Sequence, residues 1–214
     1  MTNLQKQIEN LNNSIGSQLP QEILKAFADS IADLKAKGIE NYSFKEGRKI
    51  PSFCLKSTRK GISINSDDLL NNYDKVILAF FRGNWCPYCN LELKALQNSL
   101  GQIEKKKVKL LAISPQKPEY STMMKEENKL SYDILFDEDN IFAKQLGISF
   151  QLQDFVITHY RQLGINLREF NGNDENSLPI PAVFVIDKNY KITYSFVDAN
   201  YMNRINIDEL IKNL

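Results

Sequence analysis

The segment that most constrains the fold is an apolar run that leads through a short turn into a pair of cysteines. Residues 76–81 are apolar at every position, which predicts a central strand covered on both faces. The chain then turns at residues 82–84, and Pro87 favours the start of a helix. This order of strand, turn and helix places Cys86 where a helix begins.

A cysteine at a helix start is expected to be an acidic thiol. Unpaired backbone N–H groups and the positive end of the helix dipole stabilise the thiolate there, and the pKa falls from about 8.5 to roughly 3.5–7.5. Cys86 is therefore the predicted nucleophile. Cys89 follows three residues later, close enough to attack whatever forms on Cys86 and to release it as an intramolecular disulfide.

Composition excludes several classes of function. The 214 residues include 27 Lys and Arg against 26 Asp and Glu, a net charge of +1, so charge alone indicates no nucleic-acid or membrane partner. The longest apolar run is far shorter than the roughly 20 residues of a membrane span. The N-terminus lacks a signal-peptide pattern, which predicts a cytoplasmic protein. Three cysteines and one histidine, His159, show no zinc-ligand spacing, so no metal or cofactor is expected.

The rest of the chain reads as an α/β protein. Apolar residues at three- and four-residue spacing predict two helices within residues 3–38, and residues 49–64 predict a β-hairpin. Strands at 76–81, 108–114 and 132–136 alternate with helices, as in parallel sheets with crossover connections. A hairpin over 182–196 and a final helix over 207–214 follow. Residues 148–178, with one possible helix, are interpreted as an insertion outside the core.

The two N-terminal helices carry apolar stripes that need a cover. Either the following domain or a second copy of the chain would serve, and the sequence favours neither, so a homodimer is one possibility. We divide the chain into an N-terminal helical extension, residues 1–46, and a main domain, residues 47–214. The main domain begins where the helical pattern gives way to the hairpin.

These motifs carry a family resemblance. The Trp-Cys-Pro-Tyr-Cys helix start and the late prolines before a strand resemble the motifs of proteins with a thioredoxin-like fold. The resemblance implies an α/β fold with a central mixed sheet flanked by helices. More closely, the chain resembles the peroxiredoxin-like branch of the alkyl hydroperoxide reductase/thiol-specific antioxidant family. In that fold the positions of Ile180 and Pro181 lie beside the cysteines with the proline cis, so we expect both to bind substrate. The matching segments are residues 51–53, 81–93, 112–116, 135–140, 179–187 and 198–204.

The resemblance implies a cysteine-dependent antioxidant peroxidase with a thioredoxin-, glutaredoxin- or glutathione-type reductant. One departure matters, because typical peroxiredoxins carry a proline and a Thr or Ser where this chain has Ala79 and Gly83. We nominate Arg82 and Arg204 to replace the missing peroxide contacts, because guanidinium groups stabilise a thiolate and donate hydrogen bonds to oxygen. Trp85 is interpreted as a substrate-facing residue.

Two other functions stay open at this point. The Cys-Pro-Tyr-Cys motif also occurs in glutaredoxins, so the substrate is either a hydroperoxide or a small disulfide. A non-enzymatic redox-sensing or binding module is the third reading. Among the neighbouring residues we expect Cys54 to be a small buried residue and Tyr88 to be exposed. Glu92 is read as an ordinary residue of the first helical turn, without a catalytic role.

Overall fold

The computed structural model describes residues 2–214, and its centre is a seven-stranded mixed sheet. The order across the sheet is second, first, fifth, fourth, third, eighth and ninth strand. The sixth and seventh strands form a separate antiparallel pair. The strands are β1 (Cys54–Ser57), β2 (Ser63–Asn65), β3 (Lys75–Phe80), β4 (Val108–Ser114), β5 (Asp133–Phe136), β6 (Ser149–Gln151), β7 (Ser177–Pro179), β8 (Ala182–Asp187) and β9 (Ile192–Val197).

Ten α-helices and two 3₁₀ turns, at Ile39–Tyr42 and Glu138–Asn140, accompany the strands within the described residues. None of these helices is long and apolar enough to cross a lipid bilayer. The helices are α1 (Asn3–Gln18), α2 (Gln21–Ala36), α3 (Ser66–Asn72), α4 (Pro87–Asn98), α5 (Leu100–Lys105), α6 (Pro118–Glu127), α7 (Ile141–Gln145), α8 (Asp154–Gln162), α9 (Leu167–Asn171) and α10 (Ile207–Lys212).

The apolar run of β3 explains the layered core. β3 is parallel to β4 and antiparallel to β8, and β4 is parallel to β5. Because side chains alternate along a strand, Ile77 and Ala79 belong to the core on one face, and Val76, Leu78 and Phe80 to the core on the other. The predicted central strand, the parallel strands β4 and β5, and the two hairpins are confirmed.

The N-terminal helices cover their apolar stripes with the same chain. Leu4 is buried in the core that includes α4, and Ile8 and Leu11 pack against it. On α2, Phe27 meets Tyr160 of α8 edge to face, with the ring centroids 5.7 Å apart. The sequence left open whether the following domain or a second copy of the chain covers these stripes, and the structure shows the following domain in contact with both helices. A homodimer and a domain boundary after residue 46 stay predictions.

Residues 148–178 differ from the expected insertion. They hold β6, α8, α9 and β7, and they bury a small core of their own. The hydroxyl of one of its members, Tyr160, accepts a hydrogen bond from Arg82, which follows the central strand. The segment is therefore part of the surroundings of the cysteine pair.

Two further expectations are wrong. No peptide bond among residues 2–214 is cis, so the bond before Pro181 is trans. The N–H of Ile180 donates to the carbonyl of Ile148, and the chain continues extended from β7 into β8 without needing a cis bond. Cys54 is exposed, because the alternation along β1 buries Ser57 and turns Cys54 and Lys56 outward.

Candidate active site

Both cysteines of the motif lie at the start of α4. Cys86 is the N-cap residue, and its Sγ accepts from the backbone N–H of Cys89 at 3.4 Å. The Cys89 thiol also donates to Cys86 Sγ, with the two sulfurs 2.7 Å apart. Each residue is 0% exposed. The helix start therefore brings two free thiols into one buried site, and disulfide formation needs little movement.

Arg82 reaches Cys86 from the turn after β3. One Nη donates to Cys86 Sγ at 3.2 Å and the other donates to the hydroxyl of Tyr160 at 3.0 Å. The guanidinium carbon lies 3.8 Å from the centre of the Tyr201 ring and 5.2 Å from that of Trp85. The Arg82 Nε–H is buried and has no acceptor. Arg82 is thus held by aromatic faces, a phenol and the sulfur, without a carboxylate.

Arg204 reaches both cysteines from the other side. Its Nη2 lies 3.4 Å from Cys89 Sγ and 3.9 Å from Cys86 Sγ. Its Nη1 donates to Glu92 at 2.6 Å and its Nε donates to the carbonyl of Tyr201. The second oxygen of Glu92 accepts from the N–H of Ile205. The structure therefore places both nominated arginines beside Cys86, and their role towards a peroxide stays a prediction.

Burial, hydrogen bonds and charges around the pair move the pKa values of the two thiols in opposite directions. Burial raises the pKa of Cys86, but the hydrogen bond from Cys89 and the charges of Arg82 and Arg204 outweigh it, so the pKa lies well below its usual range. Burial raises the pKa of Cys89 well above its usual range, and the hydrogen bond and charge at Cys86 add to that rise. The site is arranged for one thiolate nucleophile and one protonated thiol beside it.

Trp85 occupies the space next to Gly83. A Cβ atom on Gly83 would lie 2.8 Å from Trp85 Cδ1 and 2.9 Å from Cε2, and closest of all to the indole nitrogen. Residue 83 must therefore be glycine for the indole to lie there. The indole N–H is buried and has no acceptor. A donor thus stands beside the position that carries a hydroxyl residue in typical peroxiredoxins.

Ile180 and Pro181 lie nearby without reaching the sulfurs. Both are buried and line a small cavity that also touches Arg82, Tyr160 and Tyr201. Neither takes part in a hydrogen bond to the cysteines among the described residues. The structure therefore brings Cys86, Cys89, Arg82 and Arg204 together, and places Ile180 and Pro181 behind Arg82.

Several neighbours of the site were missed or misread from sequence. Tyr88 is buried, although we expected it to be exposed, because α1 covers it and Asn12 accepts from its hydroxyl at 2.6 Å. Glu92 is buried, and burial raises the pKa of its carboxyl while Arg204 opposes that rise. Tyr201 lies within a matching segment, so the resemblance was a signal for it. Nothing in the sequence marked Tyr160.

Fold and site together define a thioredoxin-like protein with a redox-type cysteine pair at a helix start. The family model described as AhpC/TSA family matches residues 47–195. The chain therefore belongs to the AhpC/TSA family. The match begins at the main domain and leaves α1 and α2 outside it.

Known relatives agree with that membership, and a solved structure agrees with the fold. A putative peroxiredoxin bcp of Coxiella burnetii is 31% identical over 106 residues, 50% of this chain and 68% of the relative. Peroxiredoxin Bcp of Escherichia coli is 28% identical over 104 residues, 49% of this chain and just under two thirds, 65%, of the relative. The structure of peroxiredoxin 6 of Arenicola marina matches with a TM-score of 0.62 at 21% identity, over 79% of this chain and 71% of that one.

Proposed function

We propose that the chain is a thiol-dependent peroxidase. The Cys86 thiolate attacks the terminal oxygen of a hydroperoxide, a sulfur–oxygen bond forms, and the oxygen–oxygen bond breaks. The sulfur is oxidised by two electrons to sulfenic acid, and the leaving alkoxide takes a proton and departs as an alcohol. The Cys89 thiol then attacks this sulfur, forms the disulfide and releases water.

The two guanidinium groups around one buried sulfur carry this proposal. Arg82 Nη2 lies 3.2 Å from Cys86 Sγ and Arg204 Nη2 lies 3.9 Å from it. Their charges favour the thiolate, and their N–H groups can donate to the oxygen atoms of a peroxide as negative charge develops there. Relatives named peroxiredoxin support the same chemistry.

We assign Trp85 as the donor that replaces the missing Thr or Ser hydroxyl. Its buried N–H has no acceptor and lies against Gly83, where the hydroxyl would be attached. A buried donor without an acceptor is costly, and a peroxide oxygen next to Cys86 would supply the acceptor. Ile180 and Pro181 contribute apolar surface behind Arg82.

The catalytic cycle needs a thiol reductant. We propose a thioredoxin- or glutaredoxin-type dithiol, or glutathione, which donates two electrons to the Cys86–Cys89 disulfide. Such a donor agrees with the predicted cytoplasmic, reducing location. Because both cysteines are 0% exposed, the reductant reaches the disulfide only after the site opens.

The two other readings fit the site less well. Cys86 is 0% exposed, so either substrate needs the site to open, and a mixed disulfide with its substituent needs a wider opening than a peroxide oxygen does. A passive module would leave the thiol shielded and unreactive, whereas the pKa of Cys86 lies well below its usual range.

A stopped-flow comparison tests the proposal. Trp85 is the only tryptophan and adjoins Cys86, so its fluorescence reports oxidation of the pair. Reduced protein is mixed with hydrogen peroxide, cumene hydroperoxide or oxidised glutathione, and peroxide consumption is followed in parallel. We expect a fast phase with peroxide that Cys86→Ser abolishes and the exposed-site control Cys54→Ser retains. A faster reaction with oxidised glutathione would make the protein a disulfide oxidoreductase.

A further inference from the structure

We propose that α1 and α2 form a binding site for the apolar body of an uncharged organic hydroperoxide, and that this site sets the preference of Cys86 among peroxides. The inference rests on the proposed peroxidase function and adds a substrate class to it. It concerns residues that lie outside the segment matched by the family model.

The site is a cavity of about 560 Å³ between the N-terminal helices and the cysteine-bearing turn. That volume falls within the range of small-molecule pockets, about 300–1,000 Å³. The helical wall is formed by Ile15, Leu24, Phe27 and Ala28. Leu24 and Phe27 are only half-buried, so they leave apolar surface available to a ligand.

The opposite wall belongs to the reaction site. Trp85 and Tyr160 line the cavity, and Arg82 closes its inner end. Arg82 is 4% exposed and donates to Cys86 Sγ at 3.2 Å. A hydroperoxide whose body lies in the cavity therefore meets Arg82 first, and its peroxide group has to displace the hydrogen bond between this guanidinium and Cys86 Sγ to reach the sulfur.

The lining selects the chemistry of the occupant. Apart from tyrosine hydroxyls, Arg82 is the only ionisable group on the cavity wall, and no Asp, Glu or Lys lines it. Arg82 is already directed to Cys86 and Tyr160. A cationic group on the body of the substrate would find no acidic partner, and an anionic group would find only Arg82, whose hydrogen bonds the peroxide group itself needs. The cavity therefore fits an uncharged aromatic or branched alkyl body.

Filling the cavity tests the inference. Ala28→Phe adds a ring on the cavity side of α2, and Ala36→Phe adds the same ring at an exposed alanine near the end of that helix, which does not line the cavity. The measured quantity is the second-order rate constant for oxidation with cumene hydroperoxide divided by that with hydrogen peroxide. We expect Ala28→Phe to lower this ratio about tenfold, the scale set by lost apolar burial, and Ala36→Phe to leave it at the wild-type value.

A binding measurement separates this inference from the peroxidase proposal. Cumyl alcohol, the product formed from cumene hydroperoxide, is titrated into reduced protein while Trp85 fluorescence is recorded. Saturable binding that Ala28→Phe weakens supports the cavity site, even if no peroxide is reduced. Should cumyl alcohol fail to bind, or should Ala28→Phe leave the rate ratio unchanged, the inference is overturned while the peroxidase proposal stands. If Ala28→Phe does not fold, Leu24→Gln is measured in its place with the same expected direction.

Discussion

The two arginines that reach Cys86 differ in what else holds them. Every nitrogen of the Arg204 side chain has a partner, and one of them is the buried carboxylate of Glu92. Arg82 has no carboxylate partner, and its Nε–H has no acceptor. Its guanidinium instead lies against the rings of Tyr201 and Trp85.

This difference separates two tasks that sequence reasoning assigned to both arginines alike. An arginine in a buried ion pair is fixed, and removing it leaves an unpaired charge. An arginine balanced by a thiolate and aromatic faces keeps hydrogen-bonding capacity for a substrate oxygen. We therefore expect loss of Arg204 to act mainly on stability and loss of Arg82 to act mainly on rate.

The largest effect is expected for Arg204→Met. This change leaves Glu92 buried without its cation, and breaking such a pair lowers the free energy of unfolding by about 3–5 kcal/mol. Denaturant unfolding of the reduced protein measures it. The double variant Arg204→Met/Glu92→Leu removes both charges and should recover most of the loss. A single variant as stable as wild type would show that the pair is not structural.

Removal of Arg82 should slow the reaction more than it destabilises the fold. For Arg82→Met we expect the second-order rate constant with hydroperoxide to fall about 100- to 1,000-fold, the usual cost of losing one preorganised donor. The loss of unfolding free energy should be smaller than that in Arg204→Met. Stopped-flow oxidation and denaturant unfolding of the same samples give the two values. Equal stability losses with a wild-type rate would remove the distinction between the arginines.

The sequence predicts the sheet well because local signals agree there. The fully apolar β3, the helix start at Pro87 and the alternation of strands and helices require no long-range information. The prediction that Cys54 is buried was wrong because a short strand near the sheet edge has one outward face. The residue type alone does not say on which face Cys54 lies. The expectation of a cis bond before Pro181 was wrong because it was carried over from the resemblance.

The site was predictable where chemistry is encoded next to the cysteines. Cys86, Cys89 and Arg82 lie in one short segment, and the resemblance supplied Arg204. Tyr160 was not predictable because it reaches Arg82 from a helix 78 positions away in the chain. The burial of Glu92 likewise depends on Arg204, 112 positions later. Only the tertiary structure brings such partners together.

The ionisation of Cys86 should sharpen the comparison further. The pKa of Cys86 is lowered in the folded state. The absorbance of its thiolate in the reduced protein should therefore persist when the pH is brought below about 8.5, the ordinary pKa of a thiol. The stability that this contributes is fully present above the pKa of the unfolded chain and is lost as pH falls through the lowered folded value. Arg82→Met should move the absorbance step to higher pH. Cys86→Ser should show no step in the acidic range, since burial, the largest cause of the raised pKa of Cys89, does not depend on Cys86.

The smallest effect is expected where α1 is tied to the cysteine helix. The Tyr88 hydroxyl donates to Asn12 Oδ1 at 2.6 Å, and the Tyr88 ring packs edge to face on Tyr201, the same ring that supports Arg82. Tyr88→Phe keeps the ring and removes only the hydrogen bond, so the free energy of unfolding should fall by about 0.5–1.5 kcal/mol. Asn12→Ala should cost a similar amount, and the double variant should cost less than the sum. Tyr42→Phe, at a side chain that is 70% exposed, is the matched control. Strict additivity of the two changes would mean that this bond does not couple the N-terminal helix to the Arg82 side of the site.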